Sequence, residues 1–239
     1  MKEIKREPLV ADAAKEIRAA ILDGRLIPGS RIAQDELATQ LGVSRLPIRQ
    51  ALLMLEHEGL VLLDHGRGAS VAPLDVKFIS DLFDFRSEVD GHVAATLAAR
   101  KSFDPAWLIS LVQEGRDAAT TGLLRQDLSM RFHTGLYAAV GNQVLLDTME
   151  PLLFHVRRVV KVLNSIRHSE LAPPERLALD APALRSSGVM WDEHAAIADA
   201  ITAHRVRHAR GLARDHVQRV REAVLAYLSA GTGSSEVVS

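Results

Sequence analysis

Apolar residues recur at helical spacing along the first part of the chain. Between residues 9 and 23 they follow one another by three or four positions, and Gly24 ends this predicted helix. A second, short helix is predicted to begin at Ile32 and to end at Leu41, and a third covers residues 45–58. The turn between the second and third helices contains a glycine and is as short as the connection in a helix-turn-helix.

After the third helix the pattern changes to two short apolar runs around a glycine-rich turn. Residues 60–63 and 69–72 have the composition of strands, and the four residues 65–68 between them form a predicted tight turn. Three helices followed by a small β-hairpin are the elements of a winged helix-turn-helix. We expect this domain to occupy residues 8–75.

The remainder of the chain has a helical pattern. Apolar residues step by three or four positions from residue 76 to 101. Further helices are predicted around residues 105–120, 123–141, 143–168, 189–203 and 205–230. The expected fold class is therefore mostly α, with the N-terminal winged helix-turn-helix and its hairpin wing followed by a C-terminal antiparallel all-helical bundle over residues 76–230.

Two segments lack this periodicity. The stretch from residue 172 to 188 is rich in Pro and Ser and is predicted to be a loop, and the larger Pro-rich segment 165–190 has no assigned role. Residues 231–239 are rich in Gly and Ser, so we expect a disordered tail.

The composition narrows the class of protein. The 239 residues are 47% hydrophobic and 4% aromatic, which favours a helical globular fold. The absence of cysteine excludes disulfides and thiolate metal sites. No signal peptide or apolar run of about 20 residues is present, so a cytoplasmic protein without membrane contact is expected. A net charge of −1 means that nucleic-acid binding would depend on local charge placement.

The third predicted helix carries candidate DNA contacts at its start. Arg45 and Arg49 are four residues apart and share one face, and a guanidinium group matches the two acceptors of guanine. Ser44 is a predicted helix cap and phosphate contact. No acidic residue occurs between residues 37 and 55, so the local field is positive. The other candidate DNA contacts are Arg31, Leu46 and the wing-tip residues His65, Gly66 and Arg67.

These elements resemble the GntR family of winged-helix repressors. The segments that carry the resemblance are VSRLPIRQAL at 43–52, LEHEGLV at 55–61, GRGASV at 66–71 and ILDGRLIPG at 21–29. The resemblance implies a homodimer that binds a palindromic operator in double-stranded DNA, and hence a nucleoid-associated protein. The chain departs from the family at Leu46, where a small polar residue is usual, and at Asp35, where an arginine often contacts DNA.

The second half resembles the C-terminal domain of the FadR subfamily, the FCD domain. The similar segments lie at residues 80–100, 131–142, 192–201 and 213–216. The resemblance implies a divalent metal, zinc or nickel, held by His133, His194 and His216 on three separate helices. The family's usual aspartate, four residues before the first histidine, is replaced by Ser129, which predicts weaker metal binding.

Two interpretations of Arg86 stay open, since it lies on an otherwise apolar helix face. It pairs with Glu88 or Asp90, or it binds the carboxylate of an effector in bidentate fashion. The family resemblance favours the second and implies a small organic acid. The other candidate effector-binding residues are Ser129, Asn142, Arg157 and Trp191.

The sequence therefore predicts a ligand-responsive DNA-binding transcriptional regulator and no enzyme. We expect a repressor that a small carboxylic acid releases from its operator. One alternative is a metalloenzyme that uses the three histidines, although a general base at His-Glu-x-x-His spacing is lacking. Another is an architectural DNA binder without an effector.

Overall fold

The computed structural model describes residues 7–64, 68–120, 126–167 and 187–232. These residues form nine helices and three short strands, and the chain divides into two compact units, Met1–Leu74 and Asp75–Ser239. The small wing sheet and the otherwise helical structure confirm the predicted fold class. Among the described residues, no helix combines the length and the apolar character that crossing a lipid bilayer demands.

The first unit is a three-helix assembly with a three-stranded sheet. Its elements are α1 (Glu7–Leu22), β1 (Arg31–Ile32), α2 (Gln34–Leu41), α3 (Arg45–His57), β2 (Val61–Asp64) and β3 (Gly68–Val71). Helix α1 packs against α3, and the face of α3 that is fully buried consists of Ile48, Ala51, Leu52 and Leu55. Because this face of α3 is buried, the opposite face of the helix is exposed to solvent.

The predicted start of the second helix at Ile32 is wrong. Arg31 and Ile32 form β1, which pairs antiparallel with Ser70 and Ala69 of β3, so the strand order is β1-β3-β2. Exposed Arg31 and buried Ile32 alternate as neighbours in a strand do. Two residues are too few for a period-2 pattern to be distinguished from helical spacing.

The second unit is a bundle of six described helices. They are α4 (Val76–Ala99), α5 (Ala106–Thr120), α6 (Gln126–Val140), α7 (Gln143–Arg167), α8 (Ser187–Thr202) and α9 (Val206–Thr232). Helix α4 packs along α9, α8 lies against α5 and α4, and α6 contacts α4, α5 and α7. The core is centred on residues from α4, α6 and α8, among them Leu97, Phe132 and Trp191. The predicted loop at 172–188 lies almost wholly outside the described residues.

The buried face of α4 differs from the apolar pattern that reveals the helix in the sequence. Phe78 and Phe85 belong to that pattern, yet their side chains are 43% and 49% exposed. The buried face contains Phe83 together with the polar residues Arg86 and Asp90. Buried charged groups need partners, so this face of α4 requires polar side chains opposite Arg86 and Asp90.

Candidate metal centre and nucleic-acid interface

Three histidines from three helices meet inside the second unit. His133 of α6, His194 of α8 and His216 of α9 are all buried, and one ring nitrogen of each lies within 4.8 Å of the others. The ring centroids are 5.2 Å apart for His133 and His194, 5.5 Å for His133 and His216, and 4.7 Å for His194 and His216. The structure thus brings together the three residues that the sequence put forward as metal ligands.

Two of these histidines have a carboxylate next to their Nδ1 atom. Glu193 Oε2 lies 2.6 Å from Nδ1 of His216, and Asp90 Oδ2 lies 3.3 Å from Nδ1 of His133. A carboxylate at Nδ1 favours the tautomer with its proton on that nitrogen, which leaves the lone pair on Nε2. Arg219 Nε donates to the other Glu193 oxygen at 2.6 Å and holds this carboxylate in place.

Asp90 is the centre of a buried polar network. Tyr137 donates its hydroxyl hydrogen to Asp90 Oδ1, and Arg86 Nε lies 3.4 Å from Asp90 Oδ2. Burial alone would raise the pKa of Asp90, but the charge of Arg86 and the contacts of His133 and Tyr137 outweigh it and hold that pKa below its ordinary value. Arg86 therefore pairs with Asp90, one of the two partners that the sequence left open. The other, Glu88, pairs with Arg214, and its Oε1 lies 2.6 Å from a terminal guanidinium nitrogen.

Two of the three histidines, His133 and His194, are held in their neutral form. Burial lowers the pKa of His133 to about 3, and the charge of Arg86 acts in the same direction. The pKa of His194 lies well below its ordinary value, mainly because of burial and further because of the neighbouring His216 and His133. A neutral imidazole is the form that binds a metal ion, so His133 and His194 need lose no proton to bind one at neutral pH.

His194 gives the clearest structural test of a metal site. Its ring stacks on Phe132 with centroids 4.1 Å apart, and neither of its ring nitrogens has a hydrogen-bond partner in the described part of the chain. A buried polar atom without a partner is costly and calls for an explanation. Three buried imidazoles, one of them without a hydrogen-bond partner among the described residues, fit the ligand set of a zinc-type centre with an open position.

The remaining candidate effector residues lie in different surroundings. Ser129 is half-buried on α6, one turn before His133. Arg157 of α7 is also half-buried, and its Nε is shielded from solvent and has no hydrogen-bond partner among the described residues. Asn142 is exposed, and its side-chain oxygen accepts from the Leu145 backbone N–H at 3.2 Å. Asn142 thus caps the start of α7, and its contact with an effector stays a prediction.

Trp191 is a core residue that also touches the histidine cluster. It is fully buried, and its ring meets the ring of His194 edge-on with centroids 4.9 Å apart. The ring is seated against Gly115 of α5, where an added Cβ would lie 2.1 Å from Trp191 Cε2. Packing of α8 on α5 therefore fixes the position of His194, one turn further along α8.

Sequence reasoning missed the groups that hold the histidines. The sequence pattern does not single out Glu193 or Tyr137, and it indicates Asp90 only as a partner of Arg86. A signal existed for Glu193, which directly precedes His194 in the chain. None existed for the contact of Asp90 with His133, because it joins two helices 43 residues apart in sequence.

The predicted DNA contacts of the first unit lie on its surface. Arg31, Ser44, Arg45, Leu46 and Arg49 are all exposed. Ser44 occupies the N-cap position of α3 with extended backbone angles, which confirms the predicted position. Its side chain makes no capping hydrogen bond. His65, Gly66 and Arg67 lie outside the described residues.

An ion pair joins the two helices of the helix-turn-helix. Arg45 Nε of α3 lies 2.5 Å from Asp35 Oδ1 of α2, with the two side chains 78% and 66% exposed. The acid-free interval from residue 37 to 55 did not reveal this pair, because Asp35 precedes it by two positions. The positive field at the start of α3 is consequently reduced.

Comparisons with known proteins cover both units. The family model described as bacterial regulatory proteins of the gntR family matches residues 9–71, and the FCD domain model matches residues 81–219. The Glc operon transcriptional activator of Escherichia coli (strain K12) is 26% identical, over 91% of this chain and 89% of its own length. The HTH-type transcriptional regulator YdhC of Bacillus subtilis (strain 168) is 34% identical, over 68% of this chain and 75% of its own length.

A solved structure shows the same fold. The chain resembles that of E. coli McbR/YncC with a TM-score of 0.70 at 19% identity, covering 92% of this chain and 98% of that one. The two family models, which together span most of the chain, confirm the resemblance seen in the sequence. The chain belongs to the GntR family of bacterial transcription regulators, with a DNA-binding winged helix-turn-helix followed by an FCD domain.

Proposed function

We propose that this regulator binds a palindromic operator as a homodimer and that a small organic acid, bound beside a divalent metal, releases it as a repressor. The observation that carries the proposal is the cluster of His133, His194 and His216, with the buried Arg86 connected to it through Asp90. A binding site of this kind gives the second domain a ligand to sense. Coupling between the two sites then requires only that the acid favour a form with low operator affinity.

His133, His194 and His216 would hold the metal. Zinc and nickel suit neutral imidazole ligands, and the bound ion would supply a Lewis-acidic contact for a carboxylate oxygen of the effector. Ser129 replaces the carboxylate usual at its position, so the direct ligands are uncharged. The nearby negative charges come instead from Asp90 and Glu193, which stand behind two of the histidines.

Arg86 supports an acidic effector. Arg86 is only 3% exposed, yet it keeps its charge. Burial acts to lower the pKa of Arg86, but the charge of Asp90 and the contact with Tyr137 outweigh burial and raise this pKa above its ordinary value. Its Nε faces Asp90, and its guanidinium group also contacts Tyr137. The planar guanidinium has five N–H donors, so a carboxylate could bind to those that remain. Arg157, with its shielded Nε, is a second candidate cation for the same acid.

We propose no catalytic step for this cluster. A three-histidine metalloenzyme needs a carboxylate or another base free to move a proton. In the described part of the chain, the two carboxylates that contact the histidines are occupied: Asp90 contacts Tyr137, Arg86 and His133, and Glu193 contacts His216 and Arg219. Turnover of an acid by the metal-loaded protein would contradict this part of the proposal.

The metal is tested first, with ions alone. Purified protein stripped with a chelator is titrated with zinc or nickel while its thermal midpoint is followed, and bound metal is counted by elemental analysis. A ligand that binds only the folded chain raises the midpoint, so we expect an upward shift with zinc or nickel. His194→Ala should abolish the shift, whereas His92→Ala, an exposed histidine of α4, should retain it. An equal shift in both variants would refute the site.

The effector and the operator are tested next. The metal-loaded protein is screened against small mono-, di- and hydroxycarboxylic acids by thermal shift, and any acid that binds is added to a gel shift with a duplex selected from a random library. We expect two protomers per duplex and weaker DNA binding in the presence of the acid. Binding of a single protomer per duplex would refute the proposed dimer. An operator affinity that is unchanged by every bound acid would refute release by an organic acid.

A further inference from the structure

Asp35 and Arg45 connect the two helices of the DNA-reading motif. Asp35 lies in the first turn of α2, and Arg45 is the first residue of α3. Their contact is short, 2.5 Å between Oδ1 and Nε, although both side chains are largely exposed. The pair is therefore built on the face of the domain that carries the exposed candidate DNA contacts.

Stability does not explain this pair. Exposed ion pairs contribute little to folding because solvent screens them and both side chains lose conformational freedom. A negative charge at the start of α2 favours the helix dipole, but the neighbouring Glu36 supplies such a charge as well. A carboxylate on a DNA-facing surface is also repelled by phosphates. The position of Asp35 is thus better explained by what it does to Arg45.

The geometry of the contact bears on base recognition. Asp35 engages the Nε atom of Arg45, which leaves the two terminal amino groups of the guanidinium. Those two groups together match the O6 and N7 acceptors of guanine in the major groove. A long side chain fixed at Nε loses less freedom when it makes that contact, so its selectivity for guanine increases.

We infer that Asp35 is a positioning residue that orients Arg45 for guanine and so sets the base preference of this regulator at one base pair of each half-site. The inference rests on the proposed contact of Arg45 with a base. Arg49 provides an internal comparison, because no carboxylate pairs with it in the described part of the first unit. The base preference due to Arg49 is accordingly independent of Asp35.

The test uses the full-length protein and DNA alone. A duplex is selected from a randomised library with the wild-type protein, and its affinity is then measured for every single-base-pair substitution at fixed salt. The same profile is measured for Asp35→Asn, Asp35→Glu, Arg45→Ala and the matched control Glu36→Gln, which removes a charge from the same helical turn. Thermal melting checks that each variant is folded.

We expect Arg45→Ala to remove the preference at one base pair. Asp35→Asn should weaken the preference at that same base pair from about tenfold to about twofold, because a good bidentate contact carries discrimination of this order. Asp35→Glu should restore part of it, and Glu36→Gln should leave the profile unchanged. Preferences at the other base pairs, including those due to Arg49, should persist in Asp35→Asn.

Two results would overturn the inference, and they are distinguishable. If Asp35→Asn raises the affinity for every duplex by one factor with an unchanged profile, Asp35 acts only as a repelling charge. If Arg45→Ala itself leaves the profile unchanged, the proposed base contact of Arg45 fails and the inference fails with it. In the first case the proposed DNA contact of Arg45 stands, and in the second it does not.

Discussion

Asp90 Oδ2 lies 3.3 Å from His133 Nδ1, so a carboxylate of α4 stands directly behind a candidate metal ligand of α6. The same oxygen lies 3.4 Å from Nε of Arg86, the candidate effector-binding residue. One buried carboxylate therefore contacts a residue of each proposed binding site. Any change at Asp90 is expected to affect both.

The first prediction concerns this shared carboxylate. Asp90→Asn should weaken zinc binding by about 10–100-fold, since groups that orient a ligating histidine have effects of this size. It should also destabilise the metal-free protein by roughly 3–5 kcal/mol, because Arg86 is left buried without its partner charge. Competition with a chelator and urea denaturation measure the two effects. Glu88→Gln, which removes an exposed carboxylate of the same helix, is the control and should change neither by a comparable amount.

The second prediction concerns the unsatisfied ring of His194. Replacing it with Leu removes two buried nitrogens that lack partners, so the metal-free protein should become no less stable, with a gain of about 1 kcal/mol if the cavity repacks. The same variant should lose all stabilisation by zinc. Thermal unfolding with and without zinc provides both measurements. A large loss of stability without metal would show that His194 has a structural partner.

A third prediction follows from the lowered pKa values. The unfolded chain protonates its histidines below about pH 6.5, whereas His133 stays neutral in the folded chain down to about pH 3. The unfolded state thus binds more protons in this range, so the free energy of unfolding should decrease as the pH falls. Asp90 and Glu193, whose pKa values are also lowered, act in the same direction, since their stabilisation is lost on protonation. Urea denaturation of the metal-free protein from pH 7.5 to 4 measures the slope.

The control for this pH dependence is the histidine itself. His133→Gln removes one of the groups whose protonation the folded state resists, so its slope between about pH 6.5 and 5 should be shallower than that of the wild type. His92→Gln changes an exposed histidine and should retain the wild-type slope. Equal slopes in His133→Gln and the wild type would show that another group causes the acid sensitivity.

Local patterns in the sequence were sufficient for most of the fold. The helices and the wing follow from periodicity and glycine placement, and the family resemblance brought His133, His194 and His216 into one site. The two-residue strand β1 could not be predicted, because its pairing with β3 is a contact between residues far apart in the sequence. The contacts Asp35–Arg45 and Asp90–His133 could not be predicted either, because each depends on how two helices pack against each other. Periodicity also could not show that Asn142 caps α7.

The fourth prediction tests the predicted DNA contacts. Arg45→Ala and Arg49→Ala should each weaken binding to a selected duplex by about 5–150-fold, the range that one lost bidentate base contact covers. Binding of zinc or of an acid effector should be unaffected, because the substitutions lie outside the FCD domain. Fluorescence anisotropy at several salt concentrations measures DNA affinity, since phosphate contacts and base contacts differ in their salt dependence. Retained affinity in both variants would refute the assigned face.

The fifth prediction concerns the packing that positions His194. Gly115→Ala puts a Cβ 2.1 Å from the ring of Trp191, and overpacking of this kind costs typically 1–3 kcal/mol. Because Trp191 and His194 share one turn of α8, the displaced ring should also weaken zinc binding. The matched control is Gly211→Ala in α9, where an added Cβ meets no atom within 4 Å. There the substitution should stabilise the helix by about 0.5–1 kcal/mol and leave zinc affinity unchanged. Urea denaturation and chelator competition distinguish the two variants, and equal zinc affinities would show that α8 packing does not position the ligand.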